Sequence, residues 1–340
     1  MGETIAVIGA GSWGTALAKL LGDSGHDVVV WAYEDEVVEG INGRHRNPLY
    51  LSDAALRETV RATSDPAKAL AEARFVVSAV PSGVLRVVWQ NHGDFLGEDA
   101  VLISCTKGIE EGSLKLVHEV LAECLPRHPA RRRAVLSGPS FAREVAKGLP
   151  TSVVIAGEDA DTVKRLQGLF RTESFLTFIN DDVVGVEVGG AVKNVVAIAA
   201  GLSDGLGLGN NARAAIITRG LYEMIKIGNS LGANPLTFTG LSGIGDLVLT
   251  CTANLSRNHT VGYELGKGKG LAEITRGMRM VAEGVPTTRA VHEIAGRERI
   301  NVPICDSMYR ILFEGLAPRQ AVDELCQMEL KNELGSILRR

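Results

Sequence analysis

Lys193 stands in the middle of "VEVGGAVKNVVAIAAGL", residues 186 to 202, a run that is otherwise nearly all small and apolar. An ammonium is costly to bury unless it is paired, loses its proton or does a job. Gly189, Gly190, Ala191, Ala197 and Ala200 leave room around it, as in a helix that lines a ligand cleft. A lysine in such a place can have a lowered pKa and exchange a proton near neutrality. The alternatives are a lysine that snorkels to the surface or one paired structurally with a carboxylate.

A second constellation lies near the N-terminus. Gly9, Gly11 and Gly14 form GxGxxG after the short β-rich run "IAVI", and Ala16, Leu17, Leu20 and Leu21 follow with helical spacing. In that context the first glycine makes a tight turn, the second admits a pyrophosphate, and the third packs helix on strand. The helix N-terminus offers N–H groups to the phosphates. In a nicotinamide enzyme the hydride belongs to the cofactor and the protein manages the proton, a task that suits Lys193. An acidic residue about 20 positions beyond the motif would bind the adenosine ribose. Glu34 in "WAYEDE" is near that distance, with Tyr33 as the rival for the deciding position. No arginine or lysine stands there to grip a 2′-phosphate, so the choice between NAD and NADP stays open.

Two later stretches fit the same chemistry. "GLSGIGDLVLTC" puts Asp246 between a glycine-rich loop and an apolar run, where a catalytic role and a helix N-cap are equal readings. "NLSRNHTVGYEL" puts Ser256, Arg257 and Asn258 at an expected helix start. A helix N-terminus with an arginine can hold a phosphate, although a plain surface loop would read similarly.

Elements must position these groups. Strand-like runs "DVVVWA", "RFVVSAVP", "AVLISCTKG", "RAVLSGPS" and "TSVVIAG" alternate with helical stretches, which implies a parallel sheet covered on both faces. After about residue 180 long helical stretches take over. The expected division is a doubly wound dinucleotide domain over 1–182 and a helical domain over 183–340. The length of 340 residues also suits two domains.

Composition excludes several classes. With 45% hydrophobic and 22% charged residues, extensive disorder is not expected. A formal net charge of −4 argues against a nucleic-acid partner, with "RHPARRR" at 127 to 133 read as a solvated loop. The five cysteines show no CxxC pattern and the seven histidines no HxxxH, so no metal site is expected. Reduced thiols and the lack of a signal-peptide pattern predict a soluble cytoplasmic chain rather than a membrane protein. The apolar stretch at 186 to 202 is shorter than the roughly 20 residues of a spanning helix.

From end to end the chain resembles the bacterial NAD(P)-dependent glycerol-3-phosphate dehydrogenases. "GAVKNVVAIAAGLSDGLGLGNN", 190 to 211, is similar to the family's catalytic-lysine signature. "GAGSWGTALA", "SCTKGIE", "SGPSFA", "GLSGIGDLVLTC", "SRN" and "VAEGVPT" resemble other family blocks in the right order. The resemblance implies a Rossmann domain followed by an all-α domain of the 6-phosphogluconate dehydrogenase C-terminal type. It implies hydride transfer between sn-glycerol 3-phosphate and dihydroxyacetone phosphate with NAD or NADP, feeding phospholipid synthesis. By position it makes Lys193 the acid/base, oriented by Asp246, with Asn194 as support. Lys107, Gly138, Ser140, Ser256, Arg257 and Asn258 become substrate contacts. Ser12, Trp13, Tyr33, Tyr50, Lys107, Ala142, Arg257, Val281 and Glu283 join the glycine turn as cofactor contacts. Many members carry a basic residue where this chain has Tyr33, which weakens the case for NADP. A homodimer is also expected. The rival readings are another lysine-dependent hydroxyacid dehydrogenase of the 6-phosphogluconate or 3-hydroxyisobutyrate type, and a non-catalytic redox sensor. The sensor would have no need of Lys193, Asp246 and Arg257 together.

Overall fold

The computed structural model describes residues 2–278 and 280–327. Residues 328–340, the end of the expected helical domain, lie outside the described residues. The chain begins with β1 (Thr4–Ile8), α1 (Ser12–Asp23), β2 (Asp27–Trp31), α2 (Asp35–Arg44), β3 (Val60–Thr63) and α3 (Pro66–Leu70). It continues with β4 (Phe75–Ser78), α4 (Ser82–His92), β5 (Val101–Ser104), α5 (Val117–Cys124), β6 (Arg133–Ser137) and α6 (Ala142–Ala146). β7 (Thr151–Ala156), α7 (Ala160–Phe170) and β8 (Phe175–Asn180) complete the sheet half. Helices follow: α8 (Val183–Leu206), α9 (Gly209–Ser230), α10 (Asp246–Thr252), α11 (Arg257–Gly266), α12 (Leu271–Arg276), α13 (Gly284–Glu298), α14 (Pro303–Phe313) and α15 (Pro318–Gln327).

The eight strands form one sheet in the order β3-β2-β1-β4-β5-β6-β7-β8. Successive side chains of a strand point to opposite faces, and both faces are covered. Ile5 and Val7 join Ala16, Leu17 and Leu21 of α1 in one layer. Ala6 and Ile8 join Leu85 and Trp89 of α4 in the other. Burial on both faces is why β1, β4 and β5 read as unbroken apolar runs.

The sheet is not wholly parallel as expected: β7 runs antiparallel to β6. A parallel return needs a crossover of a dozen or more residues, usually a helix as long as the strand. Here the connection holds the "GPS" turn and the five-residue α6; its length would allow a crossover, as the equally short α3 does between β3 and β4, so it is the path of the chain back along β6 that reverses β7. β3 and β8 gave no clear signal. β8 lies at the sheet edge and leaves Leu176, Phe178 and Ile179 exposed. β3 carries the outward Arg61.

α8 is longer than the stretch from 186 to 202, with 24 residues. The Asp182 side chain accepts from the Gly185 N–H at its start, and Gly207, with φ +74°, ends it. Its length would span a bilayer, but 89% of its most apolar window is buried inside the fold. Such a helix, apolar all round, belongs to a core. Against it lie α9, α10, α11, α13 and α14.

α8 and α11 pack backbone to backbone. A Cβ on Gly262 would stand 1.9 Å from the Ile198 carbonyl oxygen, and one on Gly201 2.0 Å from that of His259. This contact fixes the start of α11 beside the segment that carries Lys193. Gly262→Ala is expected to destabilise the protein by about 1–3 kcal/mol through overpacking. A denaturation midpoint followed by circular dichroism checks this; an unchanged midpoint would mean that α11 can move away freely.

Candidate active site

The glycine turn has three different reasons for its three glycines. Gly9 has φ +108°, and a Cβ there would stand 2.8 Å from the Ala79 carbonyl oxygen. A Cβ on Gly14 would stand 1.9 Å from the Gly9 carbonyl oxygen. At Gly11 a Cβ would meet nothing within 4 Å. The space is therefore outside the protein's own packing, where a phosphate can approach. α1 begins at Ser12 with no side-chain cap on its first N–H groups. Trp13 Nε1 is buried without a hydrogen-bond partner among the described residues. β2 lies on one side of β1 and β4 on the other, so this is the point where strand order reverses and open α/β sheets bind ligands. Uncapped donors at an open helix start fit a dinucleotide pyrophosphate.

Asn47 was not anticipated. It is fully buried, and its Nδ2 donates to the Ala10 carbonyl and to Thr15 Oγ1, both at 2.8 Å. Its Oδ1 accepts from the N–H groups of Leu49 and Tyr50 at 3.1 and 3.0 Å. It thus ties the "NPLYL" segment to the glycine turn. The Tyr50 hydroxyl donates to Glu34 Oε1 at 2.9 Å. Tyr33 is 83% exposed. Glu34 is thus held by Tyr50, while Tyr33 beside it stands exposed just past the end of β2.

The second centre is a buried carboxylate between two lysines. Lys193 Nζ lies 3.1 Å from Asp246 Oδ1 and donates to Thr250 Oγ1 at 2.8 Å. Lys107 Nζ lies 2.7 Å from Asp246 Oδ2 and donates to the Gly138 carbonyl at 3.0 Å. Asp246 is the first residue of α10, not its N-cap, and is only 2% exposed. Its carboxylate serves the lysines rather than a helix terminus. Burial opposes its charge, but Lys107 and Lys193 outweigh that and hold its carboxyl below the ordinary aspartate range. Burial pulls the Lys193 ammonium down to about 8; Lys107 adds to the fall and Asp246 resists it.

Thr250 was missed, although a hydroxyl four residues beyond Asp246 on one helix was a signal available in the sequence. Its Oγ1 also donates to the Asp246 carbonyl at 2.6 Å. Gly138 has φ +129°, a conformation that favours glycine. The carbonyl it turns toward Lys107 also accepts from Ser140 Oγ at 3.0 Å. Ala142 opens α6 beside this turn.

The "SRN" residues have three different placements. Ser256 caps α11 by accepting from the His259 N–H. Arg257 is exposed, and its guanidinium donates to the Val281 carbonyl at 2.6 Å. Asn258 is buried; its Nδ2 donates to Asn194 Oδ1 at 2.8 Å, and its Oδ1 accepts from the Gly284 N–H at 2.9 Å. Asn194 Nδ2 reaches the Gly190 carbonyl at 3.3 Å. Asn194 and Asn258 thus join α8, α11 and α13; Asn194 supports the helix that bears Lys193 rather than the ammonium. Val281 is exposed, and Glu283 reaches across to the N–H and hydroxyl of Ser82. The Ser12 hydroxyl donates to Met280 Sδ at 3.4 Å, so the stretch before α13 also meets the glycine turn.

Asp246→Asn would leave two ammonium groups without their shared anion. Removing one partner of a buried ion pair costs about 3 kcal/mol or more. At pH 7 the variant should lose about that much stability, and part should return near pH 9, where Lys193 is neutral. Urea unfolding at the two pH values measures this; equal losses at both would separate Lys193 from the deficit.

Residues 4–163 match the model of the NAD-dependent glycerol-3-phosphate dehydrogenase N-terminus, and residues 182–323 that of its C-terminus. A glycerol-3-phosphate dehydrogenase [NAD(P)+] of Syntrophotalea carbinolica is 51% identical over 97% of this chain and 99% of its own. One from Nitratidesulfovibrio vulgaris is 52% identical over the same shares. The crystal structure of the Coxiella burnetii glycerol-3-phosphate dehydrogenase superposes with a TM-score of 0.92 at 41% identity, covering 96% of this chain and 99% of that one. The chain belongs to the NAD-dependent glycerol-3-phosphate dehydrogenase family.

Proposed function

We propose that this chain interconverts sn-glycerol 3-phosphate and dihydroxyacetone phosphate with a nicotinamide dinucleotide, supplying glycerol 3-phosphate for phospholipid synthesis. The observation that carries the reading is Lys193: buried, lowered to about 8, and held by Asp246 and Thr250. The dinucleotide supplies or takes up the hydride when bound. Lys193 gives its proton to the C2 oxygen during reduction and takes it back during oxidation. While protonated it stabilises negative charge growing on that oxygen. Asp246 keeps Lys193 in place, and Thr250 fixes the direction of its N–H groups. Lys107 brings a second cation to the same oxygen-rich substrate. Ser140 and the Gly138 turn line its approach, and Arg257 with the start of α11 holds the phosphate.

The same reading divides the chain at 182/183, between the last strand and α8, with the dinucleotide on the first part and the substrate's phosphate on the second. It favours NAD over NADP. Glu34, oriented by Tyr50, suits ribose hydroxyls and repels a 2′-phosphate. It includes a homodimer in the cytoplasm.

The direct test is loss of reduced-nicotinamide absorbance on adding dihydroxyacetone phosphate, with NADH and NADPH in parallel. Rapid loss, faster with NADH, is expected. No loss with either, in a folded protein that binds them, would overturn the reaction. Lys193→Met should lower kcat by about 10²–10⁴-fold while NADH binding persists. Reduction needs Lys193 protonated, so wild-type kcat for reduction should fall as pH rises through about 8 and kcat for oxidation should rise. A flat profile over that window would remove Lys193 from the proton transfer. Arg257→Ala should raise the KM for dihydroxyacetone phosphate about 10- to 100-fold, the cost of a lost charge-assisted contact. An unchanged KM would move the phosphate elsewhere.

A further inference from the structure

Ser82 begins α4, immediately after Pro81 and close beyond the end of β4. Pro81, at the N-cap, supplies no side-chain acceptor. The acceptor comes from the other half of the molecule. Glu283 Oε1 accepts from the Ser82 N–H at 3.2 Å, and Oε2 from the Ser82 hydroxyl at 2.5 Å. Gly108, directly after Lys107, completes the contact. A Cβ there would stand 2.5 Å from Ser82 Oγ and 3.4 Å from Glu283 Oε2. The site therefore has no room for a side chain at 108, and it ties Glu283 to the loop that carries Lys107.

A carboxylate has about four acceptor positions, and Ser82 occupies one on each oxygen. Acceptor capacity remains. The strand order tells what lies nearby. A dinucleotide with its pyrophosphate at Gly11 and its adenosine over β2 and Glu34 extends its other half over β4 and β5. Those strands lead into Ser82 and Lys107. The nicotinamide end carries ribose hydroxyls and a carboxamide N–H₂, which are donors in need of acceptors. Burial raises the Glu283 carboxyl above the ordinary range, and the two Ser82 donors oppose that rise.

We propose that Ser82 is a positioning residue for the cofactor: it holds the Glu283 carboxylate so that its remaining lone pairs face the nicotinamide end of the bound dinucleotide. This rests on the dehydrogenase reading above. It adds a residue of the sheet half that acts through one of the helical half. A plain helix cap on α4 would use the same two hydrogen bonds, so the test must separate stability from affinity.

The experiment is a fluorescence titration with whichever reduced dinucleotide the wild type binds. The proteins are wild type, Ser82→Ala, Ser82→Thr, Glu283→Ala and the double alanine variant, each with its Tm and its KM for dihydroxyacetone phosphate. Ser82→Ala should raise the Kd about 5- to 10-fold, the loss of one hydrogen bond to a charged group. Ser82→Thr should restore it to within about two-fold. The double variant should bind no more weakly than Glu283→Ala alone, because Ser82 acts through Glu283. In Ser82→Ala the KM for dihydroxyacetone phosphate should not move. A lowered Tm with unchanged Kd would overturn the proposal and leave a helix cap. Additive losses in the double variant would overturn it too. Should Ser82→Ala not fold, Ser82→Cys keeps the side-chain shape with a weak donor and is read the same way. A wild type that binds neither NADH nor NADPH would overturn the dehydrogenase reading instead.

Discussion

One buried carboxylate organises the centre formed by the two lysines. Asp246 lies between Lys107, from the loop after β5, and Lys193, from α8. Two cations so close together repel, and neither is well solvated. A single anion between them makes the arrangement tolerable. It also joins the two halves of the molecule, because Lys107 belongs to the sheet half while Lys193 and Asp246 belong to the helical half. The balance is deliberately incomplete in its effect on Lys193. Its ammonium stays near the point of losing a proton, and that is the property proton transfer requires.

Around this centre the protein uses backbone contact where other proteins use side chains. Gly201 and Gly262 bring α8 and α11 together, while Asn194 and Asn258 add a polar stitch across the same junction. The glycine turn follows the same logic: Gly14 is pressed against the Gly9 carbonyl so that α1 starts close to its strand. Asn47 then fixes the turn from outside. Small residues thus set distances, and buried amides set directions.

Much of this was legible in the sequence because it depends on local spacing. Gly9, Gly11 and Gly14 announce their turn, and Lys193 is conspicuous within an apolar run. The two-part plan of strands followed by helices is equally visible. What escaped depends on contacts between distant segments. Nothing near Asn47 reveals that it clamps a turn far upstream, and nothing near Ser82 points to Glu283. The reversal of β7 escaped because strand direction is decided by the path of a connection, not by the apolar pattern of the strand. Asn258 carried a second lesson. Its amide meets Asn194 and Gly284, contacts between distant segments that its place beside Arg257 does not reveal.

That reversed pair of strands has a consequence for where the lysine can be. β1 through β6 all end at the same rim of the sheet, the rim that carries the glycine turn, Lys107 and Gly138. β7 runs the other way, and β8 follows it in parallel. The chain therefore leaves the sheet at the far rim. From there α8 has to travel back across the full height of the sheet. Val186 near its start packs on Val135 and Ala156, and Gly190 one turn on lies beside Ser137. Lys193 is ten residues past Val183, where α8 begins, about 15 Å along the helix axis. A five-residue strand spans about the same height. The first ten residues of the helix thus act as a measured arm, rooted away from the cleft and long enough to deliver the ammonium to the rim. With β7 parallel to β6, the same helix would start at the cleft and carry Lys193 away from it.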